Sequence, residues 1–228
     1  MRAYFNILCF AFITTTHGFN TAFFSNPKTS KNIDAKKIFF EALESDREFN
    51  SATKVRTKLL DELTITNPTK KPGSLSSFLP IAPGTWQIIY APHISTLSKL
   101  AGGSFDPVLY KLQSKKDSQI IVSHAKYSLP ILGEGWLSVS GTYGTEDGDG
   151  VCRVDFDRAW IGVGSENKFS SYEEAPEEWY KNIINSVGKL GFRKEFAAFP
   201  VSYLDQDTIV FDFELFGTRI CAKKISQN

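Results

Sequence analysis

The chain has 228 residues, of which 42% are hydrophobic and 22% are charged, and these proportions exclude an intrinsically disordered protein. Its 26 basic and 25 acidic side chains nearly cancel, so the totals show none of the positive excess that favours nucleic acid binding. Nineteen phenylalanines, 16 glycines and 10 prolines accompany a single methionine, which favours short strands and turns over a helical bundle. The composition therefore predicts a folded, aromatic-rich domain.

Residues 1–33 have the pattern of a two-part targeting presequence. Arg2 precedes an apolar stretch, Ala3–Ile13, that is typical of a signal-type leader and shorter than the roughly 20 residues that span a bilayer. The following stretch, Phe19–Lys31, is rich in Ser, Thr, Asn and Lys, and no acidic residue occurs before Asp34. This arrangement resembles the presequences of algae with secondary plastids. A secreted protein is the alternative.

Two further features weigh against the secreted alternative and against a nucleic acid partner. The sequence has three cysteines and no Asn-x-Ser/Thr glycosylation site, because Asn67 is followed by Pro68. Residues 1–33 contain basic but no acidic residues, so their removal changes the net charge of the chain from +1 to −2. We therefore predict a plastid protein that does not bind nucleic acid.

Residues 34–66 are predicted to form two amphipathic helices that pack on the main domain. The first carries an apolar stripe over Ile38–Leu43. Ser45 and Glu48 have the spacing of a capping box, which marks the start of the second helix. Apolar residues then recur every three or four positions as far as Leu63.

Residues 67–228 are predicted to form the main domain, in which about eight strands are interrupted by one helix at Glu177–Gly191. Consecutive strands joined by Gly- and Asp-rich turns favour an antiparallel up-and-down β-barrel, although the alternation alone leaves a β-sandwich open. The predicted strands are Gly84–Tyr90, Val108–Leu112, Gln119–Lys126, Trp136–Tyr143, Val151–Val163, Val201–Leu204, Thr208–Leu215 and Thr218–Lys223.

The first strand begins with Gly84-Thr85-Trp86, which resembles the Gly-x-Trp pattern on the first strand of lipocalins. Glycine lets the entering chain bend tightly, and the indole closes one end of the barrel. Lipocalins usually place an arginine of the last strand on that ring, and Arg219 lies on the last predicted strand. We therefore predict a mainly β, lipocalin-like barrel with N-terminal amphipathic helices and one inserted helix, closed by Gly84, Trp86 and Arg219.

Several short motifs follow one another in a familiar order along the chain. They are Asp46-Arg47-Glu48, Asn67-Pro68-Thr69, Gly84–Tyr90 and Tyr203–Asp207, ahead of a last strand that ends in Lys223-Lys224. In this the sequence resembles the plastid lipid-associated protein (PAP) family, also called fibrillins. The likeness extends over roughly Ile33 to Lys224 and is strongest at the two ends of that range.

The resemblance implies a lipocalin-like protein of plastids, associated with plastoglobules or thylakoids, that binds or sequesters hydrophobic molecules. The family usually has an Arg-x-Gly-type stretch after the Tyr-Leu-Asp segment, whereas this chain has Ile209–Glu214 there. The ligand preference of the family is therefore not carried over to this chain.

Strand alternation predicts which side chains line the interior of the barrel. An apolar ligand would contact an aromatic wall, with one or two polar side chains that orient it. The predicted wall residues are Trp136, Phe156, Trp160, Phe211 and Phe213, with His124 or Tyr127 as polar contacts.

Enzymatic alternatives have little support in the sequence. It contains neither a nucleotide-binding glycine loop nor a Gly-x-Ser-x-Gly elbow, and the His and Cys spacings fit no zinc pattern. Asp155 and Asp157 share one face of a predicted strand. If that face is on the outside of the barrel, they keep the protein soluble, and if it is on the inside, they permit proton-transfer chemistry. Cys152 and Cys221 lie on separate predicted strands. They are either two buried thiols or a redox-labile disulfide pair.

We therefore expect a non-enzymatic protein, without cofactor or metal, that binds a pigment, a quinone or a fatty-acyl lipid, or that has a structural role at plastoglobules or thylakoids. Its partners would be this hydrophobic small molecule and, peripherally, plastid membranes or lipid bodies. Two alternatives remain: a barrel enzyme that acts on a lipid or carotenoid, which requires inward polar groups, and a membrane-associated scaffold with a filled barrel.

Overall fold

The computed structural model describes residues 35–45, 54–115, 118–145, 150–177, 181–182, 184–186 and 197–226. The predicted presequence lies outside these residues, and so does Glu48 of the predicted capping box. Within the range predicted as the inserted helix, residues 181–182 and 184–186 are helical.

Eight antiparallel strands form one sheet that closes in a ring. Each strand pairs with the next one along the chain, and the last pairs with the first, so the mainly β, antiparallel architecture is confirmed. The strands are β1 (Gly84–Tyr90), β2 (Ser104–Lys115), β3 (Ser118–Leu129), β4 (Gly133–Thr145), β5 (Val151–Val163), β6 (Ala198–Leu204), β7 (Thr208–Phe213) and β8 (Thr218–Ser226).

The interior of the ring is the main hydrophobic core, and alternation along the strands fills it. In β1, Trp86 and Ile88 are buried, whereas Thr85 and Gln87, the residues that precede each of them, are partly exposed. This pattern buries apolar area worth roughly 25 cal/mol per Å². The inner cluster also includes residues of each of the other seven strands, β2 to β8.

Two helices, α1 (Ala35–Ser45) and α2 (Lys54–Ile65), cover part of the outer face of the sheet, as predicted. Phe39 of α1 and Leu60 of α2 belong to a second buried cluster, which includes Tyr90 and Val210 of the strands. Ser45 is the last described residue of α1 and α2 is described from Lys54, so the predicted start of the second helix falls on residues that lie outside the described ranges. None of the helices among the described residues has the length and apolar content to cross a membrane.

Two further helices are not expected from the strand pattern: α3 (Leu75–Phe78) and α4 (Pro92–Ala101). The signals for α4 were present, since proline is favoured in the first helical turn and Gly102 ends the helix with φ 65°. The two helices occupy opposite ends of the ring. We call the end with α3 and the start of β1 the Trp86 end, and the end with α4 the α4 end.

Within the part of the chain that the structure describes, a short ladder of three residue pairs connects β5 and β6, from Val151↔Pro200 to Arg153↔Ala198. Beyond this short ladder, the outer face of β5 is covered by the chain that follows it, because Trp160 packs with Val122 and Ala175 in a third buried cluster.

Candidate functional site

A cavity of about 50 Å³ lies inside the ring toward the Trp86 end. Its wall is apolar except for the hydroxyls of Tyr110 and Tyr143 and the thiol of Cys152. The other aromatic residues of the wall are Phe78, Trp86, Phe156, Phe199 and Phe211.

Phe78 closes this cavity at the Trp86 end. It lies on α3, is 0% exposed, and makes edge contacts with Tyr143 and Phe211 at centroid distances of 6.3 Å each. Prolines flank the four-residue helix, at Pro72 and Pro80, and Phe78 is the residue of the helix that is buried. Phe78 thus fills interior volume that a ligand would otherwise occupy.

Trp86 forms the floor at the same end, and the cation on its ring is Lys224. The indole Nε1 donates a hydrogen bond to the carbonyl oxygen of Ala82 at 2.8 Å. The Nζ of Lys224 lies 4.8 Å from the ring centroid and donates to the carbonyl of Ile81 at 2.6 Å. Gly84 has φ 138°, and a Cβ there would stand 2.7 Å from the carbonyl oxygen of Ser226, so only glycine fits.

Arg219 does not contact Trp86. It lies on the outer face at the α4 end, where its Nε donates to Asp212 at 2.8 Å and its guanidinium also pairs with Asp61 of α2. These residues line an open groove of about 460 Å³ between α2 and the β7–β8 hairpin. Because both carboxylates neutralise the guanidinium, Arg219 ties α2 to the sheet instead of closing the ring.

Only some of the side chains that were predicted to line the interior do so. Phe156 and Phe211 line the cavity. Phe213 belongs to the same inner cluster but lies nearer the α4 end, where its ring is 4.8 Å from His93 and 5.2 Å from Phe216. Tyr127 is buried and donates to the carbonyl of Gly162 at 3.3 Å, outside the cavity wall.

The remaining three, Trp136, Trp160 and His124, lie on the outer face. The His124 ring is 6.5 Å from Trp136 and 6.2 Å from Trp160, and its Nδ1 is 2.8 Å from the Ser138 hydroxyl. Trp160 departs from the predicted side because β5 contains a bulge, at which the register with β4 shifts between Ser140 and Gly141. His124 and Trp136 lie on the outer face and not on the predicted inner face, because the outer face of these strands is itself covered by apolar residues.

The titratable groups of the cavity stay neutral near pH 7. Burial raises the pKa of Tyr110 to about 12 and the pKa of Cys152 to about 12. Burial, followed by the nearby Cys152, also raises the pKa of Tyr143 well above its usual value. Cys152 and Cys221 are both free and buried, and they belong to the inner and the outer cluster respectively, so they do not form a bridge.

The inward carboxylate pair that the enzymatic alternative requires does not occur at Asp155 and Asp157, since both are exposed. Among the residues that the structure describes, no three His, Cys, Asp or Glu side chains group as metal ligands. The chemistry that the cavity offers is therefore desolvation by an aromatic wall, with hydroxyl and thiol groups as its polar elements.

His124 gives the fold a predictable pH dependence. Burial, with Lys168 and Lys111 nearby, lowers its pKa from 6.5 to about 4. Above pH 6.5 the His124 imidazole is neutral in both the folded and the unfolded chain. Between pH 6.5 and pH 4 only the unfolded chain binds a proton at this imidazole. The free energy of unfolding therefore falls by up to about 3 kcal/mol over this range. We expect urea denaturation at pH 7 and pH 4.5 to show this loss. His124→Gln, which does not titrate, should lose clearly less, and an unchanged pH dependence would contradict the assignment.

In comparisons with known proteins, no family model and no curated protein matches the chain.

Two of the sequence motifs described above, Asn67-Pro68-Thr69 and Tyr203–Asp207, lie close together in the fold. Asn67 donates to the carbonyl of Ser202 at 3.2 Å and accepts the amide of Leu204 at 3.3 Å. The hydroxyl of Thr69 donates to the Leu204 carbonyl at 2.6 Å. The Asn-Pro-Thr turn thus holds the end of β6, a structural contact away from the cavity.

Proposed function

We propose that the chain is a lipocalin-like barrel of the fibrillin type that binds a small hydrophobic molecule inside the ring without transforming it. The apolar cavity enclosed by the eight strands carries this proposal. Each Å² of apolar ligand surface removed from water there contributes about 25 cal/mol, which makes desolvation the source of affinity.

Binding of a whole ligand requires a rearrangement at the Trp86 end. The cavity of about 50 Å³ is much smaller than the roughly 300–1,000 Å³ of ordinary small-molecule sites. Phe78 is the side chain whose withdrawal enlarges it, because α3 is a short segment at the end of the ring rather than part of the sheet. In this proposal Phe78 occupies the ligand's place while the site is empty.

The cellular setting is proposed on the sequence alone. The two-part presequence pattern of residues 1–33 supports import into a plastid, and the PAP/fibrillin resemblance supports a place at plastoglobules or thylakoids. The ligand would then be a pigment, a quinone or a fatty-acyl lipid of that compartment.

The test is to incubate the chain from about Asp34 with total plastid lipids, repurify it under native conditions, and identify bound compounds by mass spectrometry. We expect one apolar compound, enriched to near one equivalent per chain. A chemically altered form of that compound would instead support an enzyme. A protein that emerges empty would overturn the proposal.

A second candidate function, attachment to a lipid surface, is favoured by the side chains exposed at the α4 end. Leu100 of α4 is 65% exposed, and Ile131 and Leu132 of the β3–β4 turn are 57% and 41% exposed. The turn and the helix adjoin, since a Cβ on Gly102 would lie 3.9 Å from Pro130. α4 has no acidic residue and carries Lys99 in its last turn, which suits an anionic lipid headgroup.

This candidate predicts that Ile131→Ser with Leu132→Ser weakens binding to anionic lipid vesicles at least about thirtyfold in co-sedimentation, because two inserted side chains contribute about 1–2 kcal/mol each. The control is Val55→Ser with Ile65→Ser, which removes two apolar side chains of α2 that are even more exposed. An equal decrease in both variants would show that the α4 end is not the docking surface.

A further inference from the structure

We propose that the interior site selects neutral molecules with one hydrogen-bonding oxygen, and that the Tyr143 hydroxyl binds that oxygen. The inference rests on the proposed function and narrows its ligand class. Alcohols, aldehydes, ketones and esters with an apolar body fit the site, whereas the ionised form of a free fatty acid does not.

The first observation is the hydroxyl of Tyr143 itself. The side chain is 4% exposed and lines the cavity, and its buried oxygen has no hydrogen-bond partner among the described residues. Most buried polar groups in proteins are satisfied, and leaving one unpaired costs about 1–3 kcal/mol. A ligand oxygen in the adjoining cavity would remove that cost, and a hydroxyl can pair with it as donor or acceptor.

The second observation is the absence of charge around that hydroxyl. None of the described residues that line the cavity is a Lys, Arg, His, Asp or Glu. Lys224, the cation at this end, is held on the Trp86 ring and donates to the Ile81 carbonyl. A carboxylate placed in the cavity would therefore lose its hydration without gaining an ion pair, at a cost of several kcal/mol.

The neutral state of the polar side chains makes the selection independent of pH near neutrality. Burial raises the pKa of Tyr110 to about 12, and it also raises the pKa of Tyr143. Neither phenol ionises in the physiological range, so the Tyr143 hydroxyl keeps its proton and can donate a hydrogen bond to a carbonyl or hydroxyl oxygen.

The test uses ligands of one chain length. Binding of 1-dodecanol, 2-dodecanone and dodecanoate to the chain from about Asp34 is measured at pH 8 by displacement of the neutral fluorescent probe N-phenyl-1-naphthylamine. We expect the alcohol and the ketone to bind about 1,000-fold more tightly than dodecanoate, since at pH 8 a carboxylic acid with a pKa of about 4–5 must first take up a proton to enter. Dodecanoate binding as tight as that of the alcohol would overturn the selectivity and leave the proposed function intact. Failure of all three to bind would overturn the proposed function itself.

The role of Tyr143 is tested by Tyr143→Phe, with Tyr127→Phe as the control, because Tyr127 is a buried phenol that lies outside the cavity wall. Loss of one hydrogen bond should weaken 2-dodecanone binding about three- to tenfold in Tyr143→Phe and leave it unchanged in Tyr127→Phe. The carbonyl stretch of bound 2-dodecanone should shift to higher frequency only in Tyr143→Phe, a readout that a structural defect would not produce. Equal effects in the two variants would overturn the assignment to Tyr143.

Discussion

Replacement of Trp86 with alanine is expected to lower the free energy of unfolding by about 3–5 kcal/mol. The indole is 1% exposed and belongs to the inner cluster of the ring. Its removal also leaves the Ala82 carbonyl without the 2.8 Å hydrogen bond from Nε1 and Lys224 without the aromatic face beneath it. Three stabilising contributions are therefore lost together at one end of the ring. Urea denaturation followed by circular dichroism measures it.

Trp136→Ala is the matched control for that experiment. Trp136 is also a tryptophan of the sheet, but it is only partly buried and lies on the outer face, where Nε1 donates to the Ser165 carbonyl at 2.7 Å. Its truncation should cost about 1–2 kcal/mol. Equal losses in the two variants would show that Trp86 has no special role in closing the ring.

Replacement of Phe78 with alanine should have two effects of opposite sign. Loss of a ring that is 0% exposed lowers the free energy of unfolding by about 3–5 kcal/mol. The same change empties space next to Tyr143 and Phe211, so the affinity for a neutral apolar probe should rise at least about tenfold. Denaturation and fluorescent-probe titration of the same samples measure the two effects.

Phe39→Ala distinguishes a vacated binding site from general loosening. Phe39 is equally buried, at 0% exposed, but it belongs to the outer cluster beneath α1. We expect a comparable loss of stability without a gain in probe affinity. In Phe78→Ala, ligand at 100 times its dissociation constant should restore about 2.7 kcal/mol. A gain in affinity in both variants, or in neither, would contradict the role of Phe78.

Local alternation predicted the strands and part of the wall. Ile209 and Phe211 of β7 point inward while Asp212 is on the other face, a pattern that a two-residue period makes visible in the sequence. The pairing of neighbouring strands then follows from the short turns between them. Phe156 and Phe211 were predicted as wall residues on this basis, and both line the cavity.

Alternation failed where a single residue was inserted in the strand. Phe156 and Trp160 are four positions apart, so an unbroken strand would place both on one face. In β5, Phe156 pairs with Gly141 but Arg158 pairs with Ser140, so one extra residue, Asp157, reverses the faces beyond it. The residue pattern of β5 gives no local signal of that bulge, which is why Trp160 was predicted on the wrong side.

The cation at Trp86 was within reach of sequence reasoning. β8 runs antiparallel to β1, so a residue at the start of β1 pairs with one near the end of β8. Trp86 accordingly pairs with Lys224, whereas Arg219 is near the start of β8 and pairs with Asp212. The lipocalin pattern suggested the correct kind of contact, and strand direction would have identified the residue. Phe78 gave no comparable signal, because its position depends on how a short helix folds back over the ring.

The pairing of the first strand with the last has a consequence for how the chain is made. β1 has only one neighbour until β8 has been synthesised, because no earlier segment completes the ring. A nascent or truncated chain that stops before Thr218 presents open strand edges on β1 and β7 at once, and such edges pair readily with other chains. Both edges therefore stay open to such pairing until β8 is available to close the ring.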